Sequence, residues 1–415
     1  MLNSIEKLTI AFFKSKVPTF TQFNKSYLLL FVLIGIITPS LNNVSCVNIN
    51  KIYIISFLVF GAFFVLYRAR ENYLDSTLVL GSLAIFITTY VSVIYQFNFV
   101  LFVSLLSFIV IFPLIISIIN SGVHNAIRFV HSVYAFLVIL LLVEYILLTF
   151  NFGPSLQDFF FCSSVEIRDY RSLHNRFSEL VGLETPGLNS LFLGPQFANI
   201  ISVQTFFLSC ALFVKQKTHG VRYFIIAAIS LALLILSPTG TGLIVFSVTT
   251  IVYLILFSNH ISQKVILLLL FVFFLFVASA YFYIMTIHGT AAIEIVVVKN
   301  ILDYSKFPLN GVLLGLGGEA ATYFSSTEME IVNMVGRNGI IASGIFLYIF
   351  ISTIFNRVLL FSNMDGRINA VIFTPLLVSL IHYSTFLSSG AYSLTMMHLA
   401  IAVVLKKQMR DRYLA

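Results

Sequence analysis

Residues 130–150 read VHSVYAFLVILLLVEYILLTF, and residues 152–189 just after them read FGPSLQDFFFCSSVEIRDYRSLHNRFSELVGLETPGLN. The first stretch is an apolar run close to the ~20 residues an α-helix needs to cross a bilayer. The second is polar and carries Arg168, Arg171, His174 and Arg176. This switch from hydrocarbon to polar connection recurs along the chain and decides its class, an all-α polytopic membrane protein. Barrel strands would be shorter and would alternate apolar with polar residues. The composition agrees, with 59% hydrophobic and 10% charged residues, where a soluble domain carries roughly a quarter charged. The mean hydropathy is +1.01.

Outward from residues 130–150, apolar runs fall at 27–41, 52–67, 77–95, 98–119, 192–214, 223–237, 241–257, 265–285, 333–355, 368–386 and 391–405. About twelve transmembrane helices are expected, forming a single transmembrane domain over residues 1–415. Residues 1–25 have no continuous apolar core. Leu2, Ile5, Leu8, Phe12 and Phe13 recur there at helical spacing between lysines, as in a cytoplasmic amphipathic segment lying on the membrane surface. Two connections are long, a first loop at 151–191 and a second at 286–332. Neither is large enough to bury a core of its own, and long loops in compact proteins are usually functional.

The charges orient the chain. With a cytoplasmic N-terminus, the inner connections hold seventeen of the 24 Lys and Arg residues, from Lys7 through Arg68, Arg128, Lys215, Arg222, Lys264, Arg357 and Arg367 to Arg412. The outer set is Lys51, Arg168, Arg171, Arg176, Lys299, Lys306 and Arg337. Short inner loops rich in Lys and Arg are the usual arrangement, so both termini are expected in the cytoplasm and both long loops outside. The net charge of +8 then reflects topology and attraction to anionic headgroups, not nucleic acid. Cys46, Cys162 and Cys210 lack metal-ligand spacing, and Cys210 lies in an apolar run.

A basic cluster on the outer face runs against the charge rule, which points to a ligand. Arginine is planar, permanently ionised and grips phosphate oxygens with paired donors. Arg168, Arg171 and Arg176 with His174 suit a diphosphate. The interleaved Glu166, Asp169 and Glu179 suit a salt-bridged surface helix equally well. In the second loop, Glu328 and Glu330 precede a span. A carboxylate near the low-dielectric boundary tends towards a raised pKa, suited to a general base, while acids at a helix start also simply complement its dipole. Arg337 follows Glu330 by two turns, where an anionic companion is expected, since an unpaired charge at mid-membrane costs about 2.5–3.5 kcal/mol. Within the spans, Glu144 is either functional or bonded to a neighbouring helix, and His131, His382 and His398 read as packed polar contacts. Pro195, Asn199 and Gln204, and the SPTG turn at Ser237–Gly240, read either as broken helix ends or as interhelical packing. GVLLGLGG matches neither a Walker loop nor a dinucleotide fingerprint.

Several stretches add up to a resemblance. NRFSELVGLETPGLNSLFLGPQFAN is similar to the arginine-led, Gly/Pro/Asn-rich segment that enters a span in the O-antigen polymerase (Wzy) family and its ligase relatives. LSPTGTGLIVF resembles the small-polar turn between two spans of that superfamily, without its arginine. FPLNGVLLGLGG, followed by STEMEIVNMVGRNGIIASGIFLYIF, looks like the glycine-rich ending of the second loop. Ligases usually carry a histidine in the last stretch, where this chain has Glu328 and Glu330, which favours polymerase over ligase.

The resemblance implies a GT-C-like, metal-independent membrane glycosyltransferase of the bacterial inner membrane, without cofactors. It implies polymerisation of undecaprenyl-diphosphate-linked oligosaccharide repeats into O-antigen or a similar surface polysaccharide at the periplasmic face. Arg176 would hold the donor diphosphate, with Arg168, Arg171 and His174 as weaker candidates. Glu328 or Glu330 would serve the acceptor hydroxyl, and Arg337 would hold that acid or a second diphosphate. The expected partners are the lipid-linked oligosaccharide, membrane lipids, a chain-length regulator and a flippase, with no nucleic acid. An O-antigen ligase is the alternative enzyme, and a lipid-linked oligosaccharide flippase or transporter the alternative of another class, although transporters usually show repeat symmetry between halves.

Overall fold

The structure, a computed structural model, describes residues 114–115, 118–119, 121–149, 195–215, 220–237, 240–257, 309–316, 330–382 and 389–414. The regular structure among these residues is entirely α-helical. In chain order the helices are α1 (Val123–Thr149), α2 (Pro195–Lys215), α3 (Gly220–Leu236), α4 (Gly240–Phe257), α5 (Leu309–Leu314), α6 (Glu330–Ile354), α7 (Arg357–Ser362), α8 (Met364–His382) and α9 (Ser389–Leu414). The described residues of the apolar runs at 130–150, 192–214, 223–237, 241–257, 333–355, 368–386 and 391–405 fall on helices, apart from Ser237 and Phe355 at the run ends. Those at 27–41, 52–67, 77–95 and 265–285, most of 98–119, segment 1–25 and the whole of 151–191 lie outside the described residues.

Three helical stretches among the described residues combine the length and apolar composition that crossing a membrane requires: Val123–Ile146, Phe197–Lys215 and Asn338–Ser362. Gly220–Leu236 and Gly242–Phe257 are apolar but shorter. Helices α8 and α9 are long yet carry more polar residues, and burial explains why they tolerate them. Every residue from Ile368 to Leu376 and from Leu394 to Leu405 is buried. A helix enclosed on all sides faces protein, not lipid, so its polar side chains can find protein partners.

Helix α8 is the hub, packing against α1, α2, α4, α6, α7 and α9. Phe373 stacks on Phe350 of α6 at 5.7 Å between centroids, and the edge of His398 on α9 meets the same ring. Pro375 stands inside α8, where it has no N–H for the preceding turn. Buried Gln204 of α2 donates to the nearby carbonyl of Ile372 at 2.8 Å, supplying a donor from outside the helix. Pro195 is the first residue of α2, the position where a missing N–H matters least. Helix α2 therefore starts at its proline without being broken by it.

Polar contacts fix how the helices alternate. Lys215 at the end of α2 donates to Asp365 near the start of α8 at 2.5 Å, and lies 3.1 Å from Nδ1 of His124 near the start of α1. Arg367 of α8 donates to the carbonyls of Leu360 and Phe361 on α7 and of Leu256 near the end of α4. Thus the ends of α2 and α4, the starts of α1 and α8, and α7 share one end of the bundle. The opposite end receives the starts of α2, α4 and α6. The connection at 356–363 contains the short helix α7 because asparagines bracket it. Asn356 caps its start by accepting from Val358 N–H at 3.0 Å, and Asn363 accepts from Asp365 N–H at 2.9 Å to start α8.

Candidate functional site

At the end of the bundle away from Lys215 and Asp365, two junctions bring backbone unusually close together. The first joins α5 to α6. Helix α5 lies in the glycine-rich stretch FPLNGVLLGLGG, and it closes at Gly315, whose φ is +89°. The next residue, Leu316, donates its N–H to the carbonyl of Gly336 in α6 at 2.9 Å. Three residues on, Gly339 breaks the helical register, with φ 78° and ψ 164°, a conformation that is essentially glycine-only. A side chain at Gly339 would run into the Leu313 carbonyl and the Leu314–Gly315 peptide. Ser343, past the break, donates to the Met334 carbonyl before it at 3.1 Å, holding the two parts of α6 together. The Oδ1 atom of Asn338, beside the break, is buried with no hydrogen-bond partner among the described residues.

The second junction joins α2 to α3 and α4. Asn199, buried one turn into α2, donates to the Ser237 carbonyl at 2.9 Å, just past the end of α3. A methyl group on Gly242 would meet the Asn199 side chain at 2.5–2.8 Å. The choice left open by the sequence is therefore decided for Asn199: it ties α2 to the end of α3 and packs against Gly242 of α4.

Two of the residues expected from the sequence lie on α6. Glu330 opens α6, and Arg337 follows two turns on in the same helical run, two residues before the break at Gly339. Arg168, Arg171, His174, Arg176 and Glu328 lie outside the described residues. Glu144 is fully buried in α1, five residues from its end. Among the described residues, no three His, Cys, Asp or Glu side chains gather as a metal site.

The buried histidines His131 and His398 are packed polar contacts. His131 Nε2 lies 3.0 Å from the Ser209 hydroxyl, and its ring meets the edge of Tyr223. Asn369 donates through Nδ2 to the His398 carbonyl at 2.9 Å, while its Oδ1 faces His398 Nδ1 at 2.9 Å. A carbonyl only accepts, so the amide orientation is fixed and Nδ1 carries the proton. Nε2 is then the acceptor for the Tyr134 hydroxyl at 3.4 Å. His382 lies at the last position of α8.

Sequence reasoning missed the backbone clamp between α5 and α6 and the tautomer lock at His398. The first had a signal in the spacing of Gly311, Gly315, Gly336 and Gly339, but which glycines meet depends on the fold. Compared with known protein families, curated proteins and solved structures, the chain finds no match.

Proposed function

We propose that the chain is a polysaccharide polymerase of the O-antigen polymerase type. It transfers a growing glycan from undecaprenyl diphosphate to the non-reducing-end sugar of a new lipid-linked repeat, at the periplasmic face of the inner membrane. The observation that carries most weight is the clamp of Leu313–Leu316 on Gly336–Gly339. It brings together the GVLLG and VGRNG portions of the two loop stretches on which the family resemblance rests, beside the backbone of Arg337.

The charge pattern supports the orientation. The end bearing Lys215, Arg222, Arg357 and Arg367 is cytoplasmic on the positive-inside rule, so the two glycine junctions face the periplasm. In this reading Arg176 holds the donor diphosphate and stabilises the charge that develops on it as the glycosidic bond breaks. Arg168, Arg171 and His174 extend the same anionic site. Glu328 or Glu330 accepts the proton of the attacking hydroxyl, and Arg337 orients that acid or holds the second diphosphate.

Arg176→Ala should leave the amount of membrane-inserted protein unchanged and reduce surface polysaccharide to single capped repeats. Long-chain polysaccharide at normal levels in that strain would exclude the role. Deletion separates polymerase from ligase, because loss of a ligase leaves long chains on the lipid carrier.

A further inference from the structure

Helix α7 sits where the span-length stretch Asn338–Ser362 ends, at the Lys- and Arg-rich end of the bundle. It is anchored from below: Leu359 is buried, and Arg367 takes the carbonyls of Leu360 and Phe361. Its other faces are open. Val358 is 47% and Phe361 63% exposed, and Arg357 is exposed beside them. Helix α7 packs against α9, whose C-terminal turns carry Lys406, Lys407 and an exposed Arg410. The described acids nearby are Asp365, which is engaged with Lys215, and Asp411. Above α7, exposed Ile341, Gly344, Tyr348 and Ile351 follow one another at helical spacing along α6, and a methyl group on Gly344 would touch nothing within 4 Å.

An exposed apolar pair beside the exposed Arg357, on a helix that packs against the one carrying the exposed Arg410, at the foot of a lipid-length apolar stripe, matches the chemistry of one occupant. We infer that the α7–α9 edge binds an anionic diacyl phospholipid. Arg357 and Arg410 hold the headgroup phosphate, Val358 and Phe361 sit at the headgroup–acyl boundary, and the acyl chains follow the Ile341–Ile351 stripe. Apolar side chains settle at that boundary while arginines extend to the phosphates. Each basic residue near an anionic surface strengthens attraction about five-fold, so a zwitterionic lipid gains far less here. The inference is independent of the polymerase reading.

The chain has no tryptophan, so F361W installs a single reporter at the edge. The full-length variant is reconstituted in phosphatidylcholine bilayers containing a small fraction of brominated lipid, either phosphatidylglycerol or phosphatidylcholine. Brominated phosphatidylglycerol should quench the indole several-fold more strongly than brominated phosphatidylcholine at the same mole fraction. Adding R357Q and R410Q should abolish that preference. F136W, on the exposed face of α1, should show none. Equal quenching by the two lipids, a preference that survives R357Q/R410Q, or the same preference at F136W would each overturn the inference. If F361W does not accumulate, V358W carries the same comparison.

Discussion

Asn369 holds His398 in a single tautomer, giving its side-chain N–H to the histidine's own carbonyl and its oxygen to the ring Nδ1, both at 2.9 Å. The pair joins α8 to α9 in the interior of the bundle, and the Tyr134 hydroxyl of α1 completes it through Nε2. Buried polar groups of this kind stabilise when fully paired and are costly when half-paired.

Asn369→Leu removes both of these bonds and leaves the ring Nδ1–H of His398 without its acceptor in a dry core, while the His398 carbonyl keeps its place in the α9 backbone ladder. The stranded N–H costs about 1–3 kcal/mol, so the detergent-solubilised protein should melt at a clearly lower temperature. Asn369→Asp should be no rescue, since it places an acceptor against the His398 carbonyl. A melting temperature like that of the parent protein in either variant would refute this account of the network.

Gly339→Ala should be among the most damaging small substitutions in the chain. The backbone conformation there costs a non-glycine residue about 1–3 kcal/mol, and the new methyl group collides with the peptides at the end of α5. The α5–α6 clamp must open, and folded protein in the membrane should fall sharply. Gly344→Ala on the same helix meets nothing within 4 Å and should accumulate normally. Quantitative blotting of membranes from the two strains makes the comparison.

Gly242→Ala and Asn199→Ala should not add. The first pushes a methyl group into the Asn199 side chain. The second removes the donor for the Ser237 carbonyl, at about 1–3 kcal/mol. Together they lose the hydrogen bond but relieve the contacts with Asn199 Cγ and Oδ1, so the double variant should be more stable than the summed single effects by about 0.5–3 kcal/mol. Unfolding measured on all four proteins closes the cycle, and strict additivity would contradict the packing.

Arg367 serves three carbonyls, Leu256, Leu360 and Phe361, from two helix ends. Lysine cannot reproduce this fork of donors, so Arg367→Lys should destabilise nearly as much as Arg367→Gln, by about 1–3 kcal/mol. Thermal unfolding that places the lysine variant with the parent would show that charge alone suffices.

The helices were legible in the sequence because their signal is local. An apolar run has to be helical to satisfy its backbone in lipid, and the runs at 192–214 and 241–257 lie within a few residues of α2 and α4. Short helices were harder. Helix α5 formed over a glycine-rich stretch whose composition favours turns, because packing against α6 outweighs propensity there. Helix α7 depends on Asn356 and Asn363, two caps that hydropathy does not register.

The sequence by itself determined that the described segments are helical and that three of them are long and apolar enough to cross a membrane, because run length and backbone satisfaction in lipid are properties of single segments. Only the tertiary structure decided which polar residues meet. Asn199 reaches a carbonyl across a turn, Gln204 reaches Ile372 beside Pro375, Asn369 locks His398, and Gly339 meets Leu313 across the gap between two helices. These pairs are separated by up to 168 residues in the chain. Their partners are chosen by helix packing, which no single apolar run encodes.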